Sequence, residues 1–142
     1  MPLYTLQNQE ITAQIASHGA ELKSLKDNLT GQEYMWHGDA AYWGRTSPIL
    51  FPIVGACKNN EYVHQGRHYS MSQHGFARDM EFSLLTQTED SICFGLRETE
   101  ETLQKYPFAF RLELEYCLKE RTLTVFWRVI NPSRETMYFS IG

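Results

Sequence analysis

The chain has 142 residues, which fits one domain, and a chain of this size buries about 70% of its extended surface, enough for a core without staples. Apolar residues make up 42% and aromatic residues 13%, which excludes a disordered chain. The formal net charge is -4 and the lysines and arginines are scattered singly, so the basic footprint that nucleic acid requires is missing.

In chain order the dominant pattern has period two. "ITAQIA" alternates Ile11, Ala13 and Ile15 against polar residues, and "ELKSLKD" follows. "EYMW" reads as a short strand after the turn "DNLTGQ". Residues 37 to 60 then break the alternation. They combine glycine, proline and aromatics, and Pro48 and Pro52 each remove a backbone donor, so a central strand is excluded there. A loop of this length in an all-β domain is a functional candidate. "EYVHQGRHYSM" predicts two strands around Gln65-Gly66. "EFSLLTQ" and "SICFGLRE" flank the turn "TED" as a hairpin. "TEETLQKY" is the single helical candidate, with Thr99 as its N-cap and Pro107 as its stop. "FAFRLELEYCLK", the turn "ER" and "LTVFWRVIN" form the strongest hairpin, and "TMYFSI" reads as a last strand. Short strands with turns every 8 to 12 residues predict an all-β antiparallel sandwich or barrel.

The start "MPLYTLQNQE" has neither the basic segment nor the long apolar run of a secretory signal, and no stretch of about 18 apolar residues is available to span a membrane. Cys57, Cys93 and Cys117 are widely spaced without a C-x-x-C pair, and read as reduced, mostly buried small hydrophobes in a cytoplasmic protein. The chain stops inside an apolar run at "MYFSIG", which predicts a portion of a longer protein.

The residues that can carry chemistry lie in the two irregular regions. In "MSQHGFARDMEF", Gly75 permits a sharp turn that aims His74 and Arg78 together, and an imidazole moves protons near neutral pH. The alternative is a turn histidine satisfied by water or a carbonyl. Arg45, in "YWGRTSPILFP", offers a planar fork of donors for sugar hydroxyls or phosphate, and Tyr42 and Trp43 offer faces for a sugar ring. Its alternative is an arginine folded over aromatic surface and paired with a carboxylate. Arg78 has a similar alternative in an ion pair with Asp79 or Glu81. His64 and His68 flank the Gly66 turn and face one another in a simple hairpin. No cysteine or acid joins them in a ligand pattern, so no metal and no cofactor is expected. P-loop, dinucleotide-binding and nucleophile-elbow motifs are absent.

The order "TGQEYMWHGDAAYWGRTSPILFPIVG", "QHGFARDMEF", "YPFAFRLELEYCL", "LTVFWRVIN" and "MYFSIG" resembles the aldose 1-epimerase (galactose mutarotase-like) family, and within it the sub-group similar to LacX. The resemblance implies that residues 1–142 are the N-terminal part of one antiparallel mutarotase-like β-sandwich, here incomplete. It further implies anomer exchange of an aldohexose by acid–base ring opening. By the resemblance His74 is the catalytic histidine that positions and polarises the ring oxygen, while Arg45, Arg78 and Trp43 bind substrate. A second histidine and a glutamate, the general acid and base, are implied beyond Gly142, so this chain alone is expected to be inactive. The "HGFAR" form with Arg78 also looks like the hexose-6-phosphate epimerase branch, which keeps a sugar phosphate open as substrate. Two other readings stand beside these: a non-catalytic sugar-binding or sensing domain, and a structural sandwich whose aromatics are only core. The expected partners are an aldohexose or hexose phosphate, with no nucleic acid and no membrane. Self-association is expected through the incomplete sandwich face.

Overall fold

The computed structural model describes residues 2–142. The described residues form three antiparallel sheets. The first joins β1 (Leu3–Gln7), β2 (Ile11–Ala16) and β3 (Glu21–Asp27) in chain order. The second is the hairpin of β4 (Glu61–His64) and β5 (Arg67–Ser70). The third runs β6 (Ser83–Gln87), β7 (Ser91–Arg97), β8 (Arg111–Lys119) and β9 (Thr122–Ile130). A single α-helix, α1 (Glu100–Lys105), connects β7 to β8. The Thr99 hydroxyl accepts from the Thr102 amide, and the Thr102 hydroxyl accepts from the Thr99 amide, so the expected cap is a reciprocal box.

Alternation explains the layering. In β8, Leu112, Leu114, Tyr116 and Leu118 are buried, while Glu113, Glu115 and Cys117 point to the other face. Across the core, Leu6, Ala13 and Ile15 of the first sheet meet Ile92, Phe94 and the β8 leucines. Tyr4 meets Phe94 edge-on at 5.3 Å, and the Tyr116 hydroxyl donates to the Ala20 carbonyl at 2.5 Å, tying the two layers. Ile49, Phe51, Met71 and Phe76, all from irregular segments, complete the same core. The fold is therefore an all-β antiparallel sandwich, as the period-two pattern requires.

Two expected strands do not form. In "EYMW" only Glu33 makes a bridge, to Lys26, because its carboxylate accepts from the Leu25 amide at 2.8 Å and turns the chain away from the sheet. Residues 136–141 build no ladder. Leu50 and Gly142 exchange backbone bonds and Ser140 donates to the Pro52 carbonyl, yet Pro52 has no N–H to return. The two-residue turn of the β4–β5 hairpin uses Gln65 and Gly66, both at positive φ. Its register pairs His64 with Arg67 and Val63 with His68, which sends the two histidines to opposite faces instead of toward each other.

Candidate functional site

The site is built on the proline loop, residues 48–55. The Phe51–Pro52 peptide is cis, and the Phe51 carbonyl accepts from the amides of Phe76 at 3.0 Å and Ala77 at 3.2 Å. That places the loop directly against Gly75. A side chain at position 75 would set its Cβ 2.2 Å from the Phe51 oxygen, and Gly75 holds φ +73°. Only glycine satisfies both conditions.

His74 precedes this contact and itself sits at φ +63°. Its backbone amide donates to the Gly55 carbonyl at 2.8 Å, and the Gly55 amide donates to His74 Nδ1 at 2.9 Å. Because Nδ1 accepts, the neutral ring carries its proton on Nε2. The imidazole is thus fixed as a hydrogen-bond donor by a backbone group 19 residues away.

Arg45 and Arg78 come together through Asp79. Arg45 Nη2 donates to Asp79 Oδ1 at 2.7 Å, and Arg78 Nε lies 4.0 Å from Asp79 Oδ2. Arg78 Nη2 donates to the carbonyl of Gln73, the residue before His74, at 3.0 Å. Arg78 Nε is sealed from solvent without a hydrogen-bond partner among the described residues. The short 3₁₀ turn Ala77–Asp79 that carries this arginine rests on Gly19, whose amide donates to the Met80 carbonyl at 2.7 Å. Arg45 is held from the other side. Buried Glu21 of β3 accepts from the amides of Thr46 at 2.6 Å and Ser47 at 2.9 Å, and the Ser47 hydroxyl donates to the Leu22 carbonyl. In the sequence Asp79 offers only a possible ion-pair partner for Arg78, and the Gly55 amide carries no sequence signal at all.

Trp43 is not joined to this network. The residue is 50% exposed, and its carbonyl accepts from Trp36 Nε1 at 2.8 Å. Trp36 in turn packs on His37 and Tyr42, so the loop aromatics form a small exposed cluster. A cleft of about 490 Å³ borders the proline loop, with Pro52 and Ile53 in its wall beside Tyr62, His64, Tyr106, Phe108 and Tyr138. Its size alone does not make it the chemical centre. The Tyr62 hydroxyl donates to the Lys105 carbonyl and that of Tyr106 to the Tyr138 carbonyl, so its phenols are already engaged. Burial also pushes the Tyr62 phenol up to about 12 and raises that of Tyr106. His64 packs against Phe108 at 5.0 Å in its wall. Burial raises the Cys93 and Cys117 thiols as well, which leaves them protonated near neutral pH and unsuited to nucleophilic attack. No cluster of metal-ligating side chains occurs among the described residues. No helix among them is long and apolar enough to cross a membrane.

An all-β antiparallel sandwich of this kind is the fold of the galactose mutarotase-like proteins. The chain belongs to the aldose 1-epimerase family, which it matches over residues 2–142. It is 34% identical over 143 residues to the plasmid-borne protein LacX of Lactococcus lactis subsp. lactis, and 35% identical to the chromosomal form. Each match covers 96% of this chain and 48% of the relative. Among solved structures, a galactose mutarotase related enzyme from Lactobacillus acidophilus superposes with a TM-score of 0.97 at 43% identity, over 99% of this chain and 47% of that one. A galactose mutarotase-like protein from Lactobacillus casei gives a TM-score of 0.95 at 37% identity, over 99% and 48%. The chain therefore spans about half the length of the relatives it matches.

Proposed function

We propose that the protein containing this chain is an isomerase that interconverts the anomers of an aldohexose, and that this chain supplies the sugar-binding floor of its site. The reaction needs a base on the C1 hydroxyl and an acid on the ring oxygen. Proton removal from the C1 hydroxyl and proton delivery to the ring oxygen break the C1–O bond to give the open aldehyde. Rotation about C1–C2 and reclosure by the reverse transfers give the other anomer. No redox change occurs. In this reading His74 Nε2–H donates to the ring oxygen and polarises it, while Arg45 and Arg78 orient hydroxyls. The acid and base that complete the cycle, a second histidine and a glutamate by the family resemblance, are proposed to lie outside these residues.

The observation that carries the proposal is the bond from the Gly55 amide to His74 Nδ1, which makes the imidazole a donor aimed by the backbone. Polarimetry or NMR exchange on the full-length protein tests it. The His74→Ala variant is expected to lose about a hundredfold or more in kcat, the scale of one preorganised hydrogen-bond donor to developing charge. An unchanged rate removes His74 from the mechanism. A second reading, a sugar-binding or sensing domain without turnover, draws support from the exposed aromatic cluster of Trp36, Tyr42 and Trp43, which offers stacking faces for a sugar ring. It predicts sugar-induced NMR shifts at Arg45, Trp43, His74 and Arg78 without anomer exchange in the full-length protein. Self-association of the isolated chain is part of the same proposal. Val125 and Trp127 face the same side as buried Tyr116 and Leu114, yet Trp127 stays 47% exposed at the sheet margin. A stable monomer across concentrations in sedimentation counts against that part.

A further inference from the structure

We propose that Asp79 makes the site selective for uncharged sugars, its carboxylate taking the position between two guanidiniums that a phosphate ester would otherwise occupy. The proposal rests on the reading of this region as a sugar site. Two arginines side by side ordinarily make an anion fork. Here a carboxylate already sits between the two, hydrogen-bonded to one and ion-paired with the other. Arg45 Nη2 is bonded to Asp79 Oδ1, and the second carboxylate oxygen lies 4.0 Å from Arg78 Nε. Arg78 Nη2 is committed to the Gln73 carbonyl.

Exposure decides which charge an incoming ligand meets. The Asp79 side chain is 56% exposed, whereas Arg45 is 32% and Arg78 18% exposed. Solvent reaches the carboxylate more readily than either guanidinium. An approaching phosphate meets negative charge first, and to reach the arginines it must displace an ion pair bonded at 2.7 Å. A sugar hydroxyl meets no such barrier, because it both donates and accepts. It can donate to a carboxylate oxygen while accepting from a remaining arginine N–H. A phosphate dianion only accepts, and gains nothing from Asp79. The mixed acceptor–donor set of Asp79 with Arg45 therefore matches a neutral polyol, and removal of the carboxylate charge converts it to an anion site.

The test measures binding to the full-length protein as wild type, Asp79→Asn and Asp79→Ala. The probes are glucose, glucose 6-phosphate and inorganic phosphate, followed by calorimetry and by the arginine Nε–Hε resonances. The wild type is expected to bind the 6-phosphate no more tightly than the free sugar. In Asp79→Asn, which keeps the side-chain shape and an oxygen acceptor for Arg45, affinity for the 6-phosphate and for inorganic phosphate is expected to rise about tenfold or more. The gain should shrink as salt is added. A wild-type preference for the phosphate ester overturns the proposal, and so does an affinity ratio that stays the same in both variants. Inorganic phosphate separates the two readings. If no protein binds sugar but Asp79→Asn gains phosphate, the sugar site fails and the carboxylate's shielding role stands. If sugars bind and the phosphate ratio does not move, the role of Asp79 fails alone. Should Asp79→Ala not fold, the isosteric variant still decides.

Discussion

Replacing Gly75 with alanine drives a methyl group into the backbone of the proline loop. The new Cβ would lie 2.2 Å from the Phe51 oxygen, 2.5 Å from its carbon and 2.7 Å from the Pro52 nitrogen. Neither partner is a flexible side chain, so the loop itself must move by more than an ångström. Three costs add. The left-handed backbone is worth about 1–2 kcal/mol against any residue with a Cβ. Overpacking a filled interior typically adds about 1–3 kcal/mol. The Phe51 carbonyl accepts from Phe76 and Ala77, and disturbing those two bonds adds about 1–3 kcal/mol more. Reduced freedom of the unfolded chain returns under about 1 kcal/mol. The net loss is about 2–7 kcal/mol. Gly31 supplies the control, because it holds φ +75° with nothing within 4 Å of its Cβ position. Gly31→Ala carries only the backbone cost, about 1 kcal/mol after the same entropic offset. Thermal unfolding of the two variants should therefore differ by roughly 10 °C or more, at about 4 °C per kcal/mol for a chain of this size. Equal midpoints would refute the claim that the Phe51 contact, and not φ alone, demands glycine at 75.

Other perturbations give smaller signals with defined signs. Tyr116→Phe removes the hydroxyl that donates to the Ala20 carbonyl inside the core, leaving that oxygen without its partner. A loss of about 1–3 kcal/mol in denaturant unfolding is expected, with the m-value unchanged. The Arg121 guanidinium, bonded to Asp27 at 2.9 Å, and the Thr30 and Leu29 amides together hold the Asp27 carboxyl below its ordinary value. A carboxylate with a lowered folded pKa stabilises above its unfolded value, near pH 4, and that stabilisation is lost as pH falls further. Asp27→Asn should therefore flatten the acid limb of a stability–pH profile below about pH 4, and an unchanged limb would exclude Asp27 as a contributor.

Much of the sandwich was legible because β8 alternates without interruption, and each charged residue in β8 faces away from the core. The capped helix was legible for a similar reason, since Thr99 and Thr102 sit at the spacing a reciprocal cap requires. Where the expectation of strands failed, side-chain and proline chemistry overrode propensity. The Glu33 carboxylate captured the amide at the end of β3, and Pro52 denied residues 136–141 a ladder. Within the site, Arg45 and Arg78 were readable as guanidiniums near a glycine turn, but their union through Asp79 was not. That contact joins positions 34 residues apart, and no local pattern encodes it. Gly55 was invisible because its contribution is an amide that every residue but proline possesses. The pairing of His64 with His68 failed on register: a two-residue turn puts residue 67, not 68, opposite 64.

The bond that orients His74 has one more outcome, for its reactivity. Electrophiles that modify histidines attack the ring nitrogen bearing the lone pair. At His74 that nitrogen is Nδ1, already occupied by the Gly55 amide, and the opposite nitrogen offers only a proton. Acylating reagents and soft metal ions that consume exposed histidines such as His37 and His68 will find this one slow to react until the proline loop is pulled open.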